Sequence, residues 1–185
     1  MIDGIVGRIV SLYQAKGNRE YEGEGVSQLE HALQSAHRAE QDGAAPELVC
    51  AALLHDIGHL INDRGETPTL RGEDDLHQYM ALPFLRPAFP EAVLGAIRLH
   101  VDAKRYLCAI RPGYREALSE DSKRSLGLQG GVFAPAQAER FIRQPFAADA
   151  VKVRLWDDAA KVPGASTPDL AHYEAILRTV ARRAA

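Results

Sequence analysis

Apolar residues recur every three or four positions along almost the whole chain, the period of an α-helix. No convincing run alternates β-branched and polar residues as a half-buried strand would. The stretch PELVCAALLHDIGHLI shows the helical pattern most clearly. Leu48, Val49, Ala52, Leu53, Ile57, Leu60 and Ile61 form a wide apolar face that must be buried. The periodicity predicts helices over 2–16, 27–42, 46–62, 74–86, 90–102, 113–126, 135–143, 147–161 and 168–184. Pro46 and Pro90 stand where a first turn tolerates proline, and Gly17 and Gly43 where a helix can stop. Loops are marked by NDRGETPTLRG (62–72), LGLQGGVF (126–133) and VPGAS (162–166). No repeat, low-complexity tract or linker divides the chain, so the expected architecture is one all-α helical bundle over residues 1–185.

Composition narrows the class without naming a function. Hydrophobic residues make up 46% and charged residues 25% of 185 residues, the balance of a globular protein with a single core. A net charge of −3 leaves no basic footprint for nucleic acid or an anionic membrane, so neither partner is expected and any anion site must be built locally. No stretch approaches the roughly 20 apolar residues of a membrane span. The first residues, MIDGIVGRIVSLYQAKG, carry no signal-type apolar run. Cys50 and Cys108 lie far apart in apolar stretches, as expected of two buried thiols in a reducing compartment. The expected location is the cytoplasm. Oligomeric state is not legible.

The chemistry lies in residues that interrupt the apolar faces. His55 and Asp56 break the long apolar face, and a buried imidazole and carboxylate need partners. A structural hydrogen-bonded pair and a metal site both satisfy that need. His31, His77 and His100 each sit on or beside an apolar stripe, and Trp156-Asp157-Asp158 comes late in the chain. One such histidine is ordinarily a satisfied core residue. Four imidazoles and two carboxylates drawn from five helices would instead fill two adjacent metal sites, with one carboxylate bridging. His37 and His172 have polar neighbours and read as surface residues.

The order His31, His55-Asp56, His77, His100, Asp157 resembles the HD-domain superfamily, an all-α fold, over nearly the whole chain. His77 and His100 mark its dinuclear subclass. Within that subclass the segment REYEGEGVSQLEH (19–31) resembles the diiron phosphonate oxygenases, whose Tyr-x-Gly-Glu signature matches Tyr21, Gly23 and Glu24. HVDAKRYL (100–107), LSEDSKRSLGLQGG (118–131) and VRLWDDAAK (153–161) are similar to further blocks of the same enzymes. The resemblance implies one iron held by His31, His55, Asp56 and Asp157, and a second held by Asp56, His77 and His100. Asp158 is the competing candidate for the last carboxylate. The implied cofactors are a mixed Fe(II)/Fe(III) pair, with dioxygen as co-substrate. A phosphonate lacks an ester's leaving group, so oxidising the carbon first is what makes the cleavage accessible. Zinc could occupy such ligands but could not supply electrons.

The resemblance also implies a gate and a substrate cradle. Tyr21 and Glu24 would cover the iron until substrate displaces them. His59, Lys104, Ser122, Gln129 and Arg154 would contact the substrate. Lys104 lies one turn after His100, and Arg154 three residues before Asp157. The substrate so implied is a small 1-hydroxy-2-aminoethylphosphonate, with a primary or a trimethylated amine. Asp74 and Asp75 either face its cation or begin a helix. A dinuclear phosphohydrolase acting on a nucleotide or phosphodiester is the competing enzyme, and a ligand-sensing module the competing non-enzyme.

Overall fold

The computed structural model describes residues 2–21, 23–62 and 68–183. Among them are eleven α-helices, one 3-10 turn and no strand. The helices are α1 (Ile2–Lys16), α2 (Gln28–Gln41), α3 (Pro46–Leu54), α4 (Ile57–Ile61), α5 (His77–Leu85), α6 (Glu91–Ile110), α7 (Tyr114–Ala117), α8 (Glu120–Leu128), α9 (Pro135–Ile142), α10 (Ala147–Ala159) and α11 (Leu170–Arg183), and the 3-10 turn is Pro68–Arg71. The all-α bundle expected from periodicity is what forms. Of the loop expected over 62–72, residues 63–67 lie outside the described residues, as does the last residue of the helix expected to reach 184. No described helix is long and apolar enough to cross a membrane.

The main core gathers α1, α2, α4, α5, α6, α10 and α11 around α3, whose residues Leu48 to Leu54 are all buried. Burial on every side explains why α3 is apolar all round rather than striped. A smaller cluster joins Leu99 and Ala103 of α6 to Phe141 and Ala147. At Gly95 the helix α6 comes so close to Phe146 that a Cβ would lie 2.4 Å from its ring.

Four boundaries depart from the periodic reading. The helix expected over 46–62 breaks after Leu54, with Asp56 at φ −105°, and resumes at Ile57. Adjacent residues of an unbroken helix point about 100° apart, so the break is what lets His55 and Asp56 face one cavity. The carbonyl of Leu53 accepts a hydrogen bond from the Tyr13 hydroxyl at 2.6 Å, and that of Leu60 accepts one from Lys16 Nζ at 2.9 Å. Helix α1 therefore caps both halves of the broken element. The helix expected from 74 begins only at His77, after Leu76 in the left-handed region at φ 54°. The helix expected to stop at 102 runs on to Ile110, and that expected over 113–126 divides into α7 and α8, with Ser119 capping α8.

Of the two thiols, Cys50 is buried and Cys108 only half-buried, both free. His172 is exposed, as expected, and pairs with Glu40 at 2.8 Å. His37 is instead half-buried, because α2 turns that face toward neighbouring helices.

Candidate metal centre and substrate cavity

Six buried side chains, from four helices and the α3–α4 break, converge on one point. His31 stands on the first turn of α2, started by a capping box: Ser27 Oγ accepts from Glu30 N–H at 3.1 Å, and Glu30 accepts from Ser27 N–H at 2.6 Å. His55 and Asp56 occupy the break, His77 begins α5, His100 lies mid-α6 and Asp157 near the end of α10. Ligand atoms of His31, His55, Asp56 and Asp157 lie within 4.8 Å of one another, and so do those of Asp56, His77 and His100. Asp56 faces both groups. Its Oδ2 is 3.6 Å from His31 Nε2 and 3.3 Å from His55 Nε2. Its Oδ1 is 3.3 Å from His77 Nε2 and 3.4 Å from His100 Nε2.

The hydrogen bonding is what a pair of cations requires. His31, His55 and His100 each direct Nδ1 at a backbone carbonyl, of Ala160 (2.9 Å), Ala52 (2.8 Å) and Ile97 (2.7 Å) respectively. Nδ1 of His77 meets Asp75 Oδ1 at 2.9 Å. Each ring thus carries its proton on Nδ1 and turns a lone pair on Nε2 inward, the second-shell arrangement of metal-binding histidines. Two such lone pairs face each other at 3.2 Å between His31 and His55, and two more at 3.1 Å between His77 and His100. Asp157 Oδ1 is buried with no hydrogen-bond partner. Opposed lone pairs and an orphaned carboxylate oxygen are costly unless cations sit between them. The donor set fits two divalent or trivalent ions bridged by Asp56.

The charges agree. Burial opposes ionisation of Asp56, but the surrounding imidazoles, His55 foremost, hold it well below the usual carboxylate range. Burial likewise opposes ionisation of Asp157, and Arg154 foremost overrides it. Burial, with His55 and His77 nearby, lowers His100 to about 4, leaving it neutral and ready to ligate. Asp158 lies apart from both groups: it accepts from Arg154 and from the Tyr114 hydroxyl. Of the two candidate carboxylates, the structure brings Asp157 to the cluster.

A small cavity of about 30 Å³ opens beside the second group, lined among others by Tyr21, His59, Lys104, Ser122, Gln129 and Arg154. All five expected substrate contacts therefore lie together. Lys104, 2% exposed, holds Ser125 Oγ at 2.6 Å. Gln129 Oε1 is buried with no hydrogen-bond partner. Arg154, expected as a substrate contact, is largely taken up by protein partners. Its guanidinium already meets Asp157 Oδ2 at 2.9 Å, Asp158, Ser122 Oγ at 3.3 Å and the Tyr114 hydroxyl at 3.3 Å. It positions the candidate ligand carboxylate of Asp157 as much as it faces the cavity.

Tyr21 reaches the cluster as expected: its hydroxyl donates to Asp56 Oδ2 at 2.7 Å and its ring stacks on His31 at 3.9 Å. Glu24 does not line the cavity; its Oε1 lies 3.7 Å from Lys161 Nζ. Four residues the sequence reading left without a role, or with a different one, support the site. Asp75 accepts from both His77 N–H (3.2 Å) and His77 Nδ1, and lies 2.5 Å from His59 Nδ1. It is therefore both the helix start and the clamp of a candidate ligand, and is not left for a substrate cation. Ser125, Tyr114 and Lys161 hold Lys104, Arg154 and Glu24. The Ser-x-x-Ser spacing of 122 and 125 was the available signal for Ser125; nothing local marked Tyr114.

Residues 29–128 match the HD domain family, and the chain belongs to it. It is 45% identical over 170 residues to the hydroxymethylphosphonate dioxygenase of Gimesia maris, covering 90% of this chain and 84% of that one. It is also 38% identical over 174 residues to the glycine-betaine-forming [1-hydroxy-2-(trimethylamino)ethyl]phosphonate dioxygenase of Leisingera caerulea, covering 94% and 89%. An uncharacterised protein of Acanthamoeba polyphaga mimivirus is 33% identical over 174 residues, covering 93% and 80%.

Proposed function

We propose that this protein is a diiron oxygenase that uses dioxygen to break the carbon–phosphorus bond of a small 1-hydroxyphosphonate, releasing phosphate. The observation that carries the reading is the bridged, two-group histidine-carboxylate cluster opening onto a cavity with a buried lysine, in a chain so similar to two phosphonate dioxygenases. His31, His55, Asp56 and Asp157 would hold one iron, and Asp56, His77 and His100 the other. A mixed Fe(II)/Fe(III) pair supplies the redox chemistry that activates dioxygen, which zinc cannot.

The chain's own groups define the substrate pose. Lys104 neutralises phosphonate oxygens, and the face of Arg154 turned to the cavity adds donors. His59, oriented by Asp75, and the free amide oxygen of Gln129 suit the substrate's hydroxyl edge. Tyr21, hydrogen-bonded to the bridging carboxylate, screens the cluster until substrate enters.

The two dioxygenases differ in substrate, and the cavity favours the one-carbon compound. Histidines apart, its described lining holds one aromatic side chain, Tyr21, itself tied to Asp56. A trimethylammonium calls for aromatic faces. Nearby carboxylates are engaged: Asp75 by His59 and His77, Asp74 by the Leu76 N–H at 3.1 Å just before α5, Asp121 by Thr69 and Arg124, Glu73 by Arg71. Hydroxymethylphosphonate is therefore favoured over either aminoethyl substrate. Hydroxymethylphosphonate plus one dioxygen contains the atoms of formate plus phosphate, so no external reductant enters the balance. The cytoplasmic setting expected from two free thiols belongs to the same proposal.

The test is a panel of hydroxymethylphosphonate, its 2-amino-ethyl and trimethylammonio-ethyl analogues, and nucleotides, with iron- and with manganese-loaded protein. Phosphate and formate from the first compound, with iron alone, are expected. Nucleotide hydrolysis with manganese would overturn the reading in favour of a phosphohydrolase.

A further inference from the structure

The Tyr21 gate rides on a short hairpin closed by the bridge between Glu20 and Ser27. Tyr21 N–H donates to Val26 O at 2.8 Å and Glu24 N–H to Tyr21 O at 2.9 Å, while Gly23 (φ 78°) and Gly25 (φ 73°) take backbone conformations that favour glycine. From outside the hairpin, the flexible side chain of Lys161 reaches both gate residues. Lys161 follows the last turn of α10 and has a rigid base. Ala160 O accepts from His31 Nδ1 at 2.9 Å, and Val162 exchanges hydrogen bonds of 2.9 and 3.0 Å with the Gln34 amide. From there Lys161 Nζ lies 3.7 Å from Glu24 Oε1, 5.5 Å from the centre of the Tyr21 ring and 3.5 Å from Ser119 Oγ. The side chains of Lys161 and Glu24 are only 12% and 17% exposed, so the pair is shielded from bulk water more than a surface pair is.

We propose that Lys161 is the latch of this gate, a positioning residue that holds Glu24 and Tyr21 against the cluster while substrate is absent. The proposal rests on the gating role of Tyr21 given above. Lifting Tyr21 from Asp56 turns the hairpin, which separates Glu24 from Lys161 and withdraws the ring from the ammonium. Both contacts thus favour the closed state, and Lys161 itself does not line the cavity. The same base carries the carbonyl that fixes His31, so the latch and one candidate ligand share a support.

The experiment compares wild type, Lys161→Met, Lys161→Arg and Tyr21→Phe as full-length, iron-loaded protein kept anaerobic. Hydrogen exchange of the hairpin amides is read first. Iron oxidation on admitting air without substrate is read second, with iron content as control. Losing an ion pair and a cation–π contact of this exposure shifts an opening equilibrium roughly three- to tenfold. Lys161→Met should accelerate hairpin exchange and iron oxidation by that factor with iron content intact, and Lys161→Arg should restore both. Wild-type rates in Lys161→Met, alongside faster oxidation in Tyr21→Phe, would leave the gate standing and remove the latch. Unchanged oxidation in Tyr21→Phe would remove the gate and the latch together. Iron loss from Lys161→Met would make the residue a support of α10 and overturn the proposal.

Discussion

Gly58 sits three residues after His55, where α4 passes the start of α5. A Cβ at that position would lie 2.1 Å from the carbonyl oxygen of His77, 2.7 Å from its carbonyl carbon and 2.9 Å from its Cα. Non-bonded heavy atoms settle at about 3.5 Å or more, so Gly58→Ala must drive the two backbones apart by more than about 1 Å. The clash is with backbone, which cannot rotate away. Overpacking of this kind costs about 1–3 kcal/mol. For a protein of this size that is a fall in Tm of roughly 2–12 °C. The displaced residue carries a candidate ligand, and metal–ligand distances tolerate only about 0.2 Å. Gly58→Ala should therefore empty the group of Asp56, His77 and His100 while His31, His55, Asp56 and Asp157 keep their ion. The assay is metal content after iron loading, with thermal melting in parallel. Metal content should fall from about two to about one per chain, as in His77→Ala, with a lower Tm than His77→Ala shows. Full occupancy at wild-type Tm would refute the reasoning.

Lys104→Ala should weaken hydroxymethylphosphonate binding about ten- to a hundredfold with metal content intact, since it removes a charge-assisted contact but no ligand; unchanged KM would take Lys104 out of the cradle. Arg154→Ala should behave differently, because it leaves Asp157 and Asp158 buried or half-buried beside each other without their cation. A loss of about 3–5 kcal/mol and a weakened first iron are expected, and near-normal melting would contradict that. The metal-free protein should also lose stability as pH falls from about 6.5 to about 4. His100 titrates near 4 in the fold and about 6.5 when unfolded, so across that window the unfolded chain binds a proton the fold refuses. His100→Gln should flatten the profile, and an already flat wild-type profile would count against it.

Much of the candidate site was legible because its residues violate the apolar pattern that surrounds them. Four histidines and two aspartates on otherwise buried faces are conspicuous, and the structure brings all six together. Geometry that depends on a neighbour was not legible. The apolar run from Leu48 to Ile61 gives no hint that the helix breaks at His55-Asp56, since both halves remain apolar; the break is set by the cluster and by Tyr13 and Lys16 of α1. The late start of α5 follows from Asp75 reaching His77 and His59 at once, a tertiary fact that looks from sequence like acids opening a helix. Arg154 read as a substrate contact three residues before Asp157; that Tyr114, forty residues away, and Ser122 also hold it is tertiary and left no local mark. The Ser27–Glu30 capping box stood in SQLEH as local chemistry.

The central claim is that this centre oxidises its substrate rather than hydrolysing it. The most direct test is an oxygen electrode reading on iron-loaded enzyme with hydroxymethylphosphonate, with phosphate measured in the same vessel. One dioxygen consumed per phosphate released, and no phosphate under argon, is the predicted result. Phosphate released at the same rate under argon would contradict it.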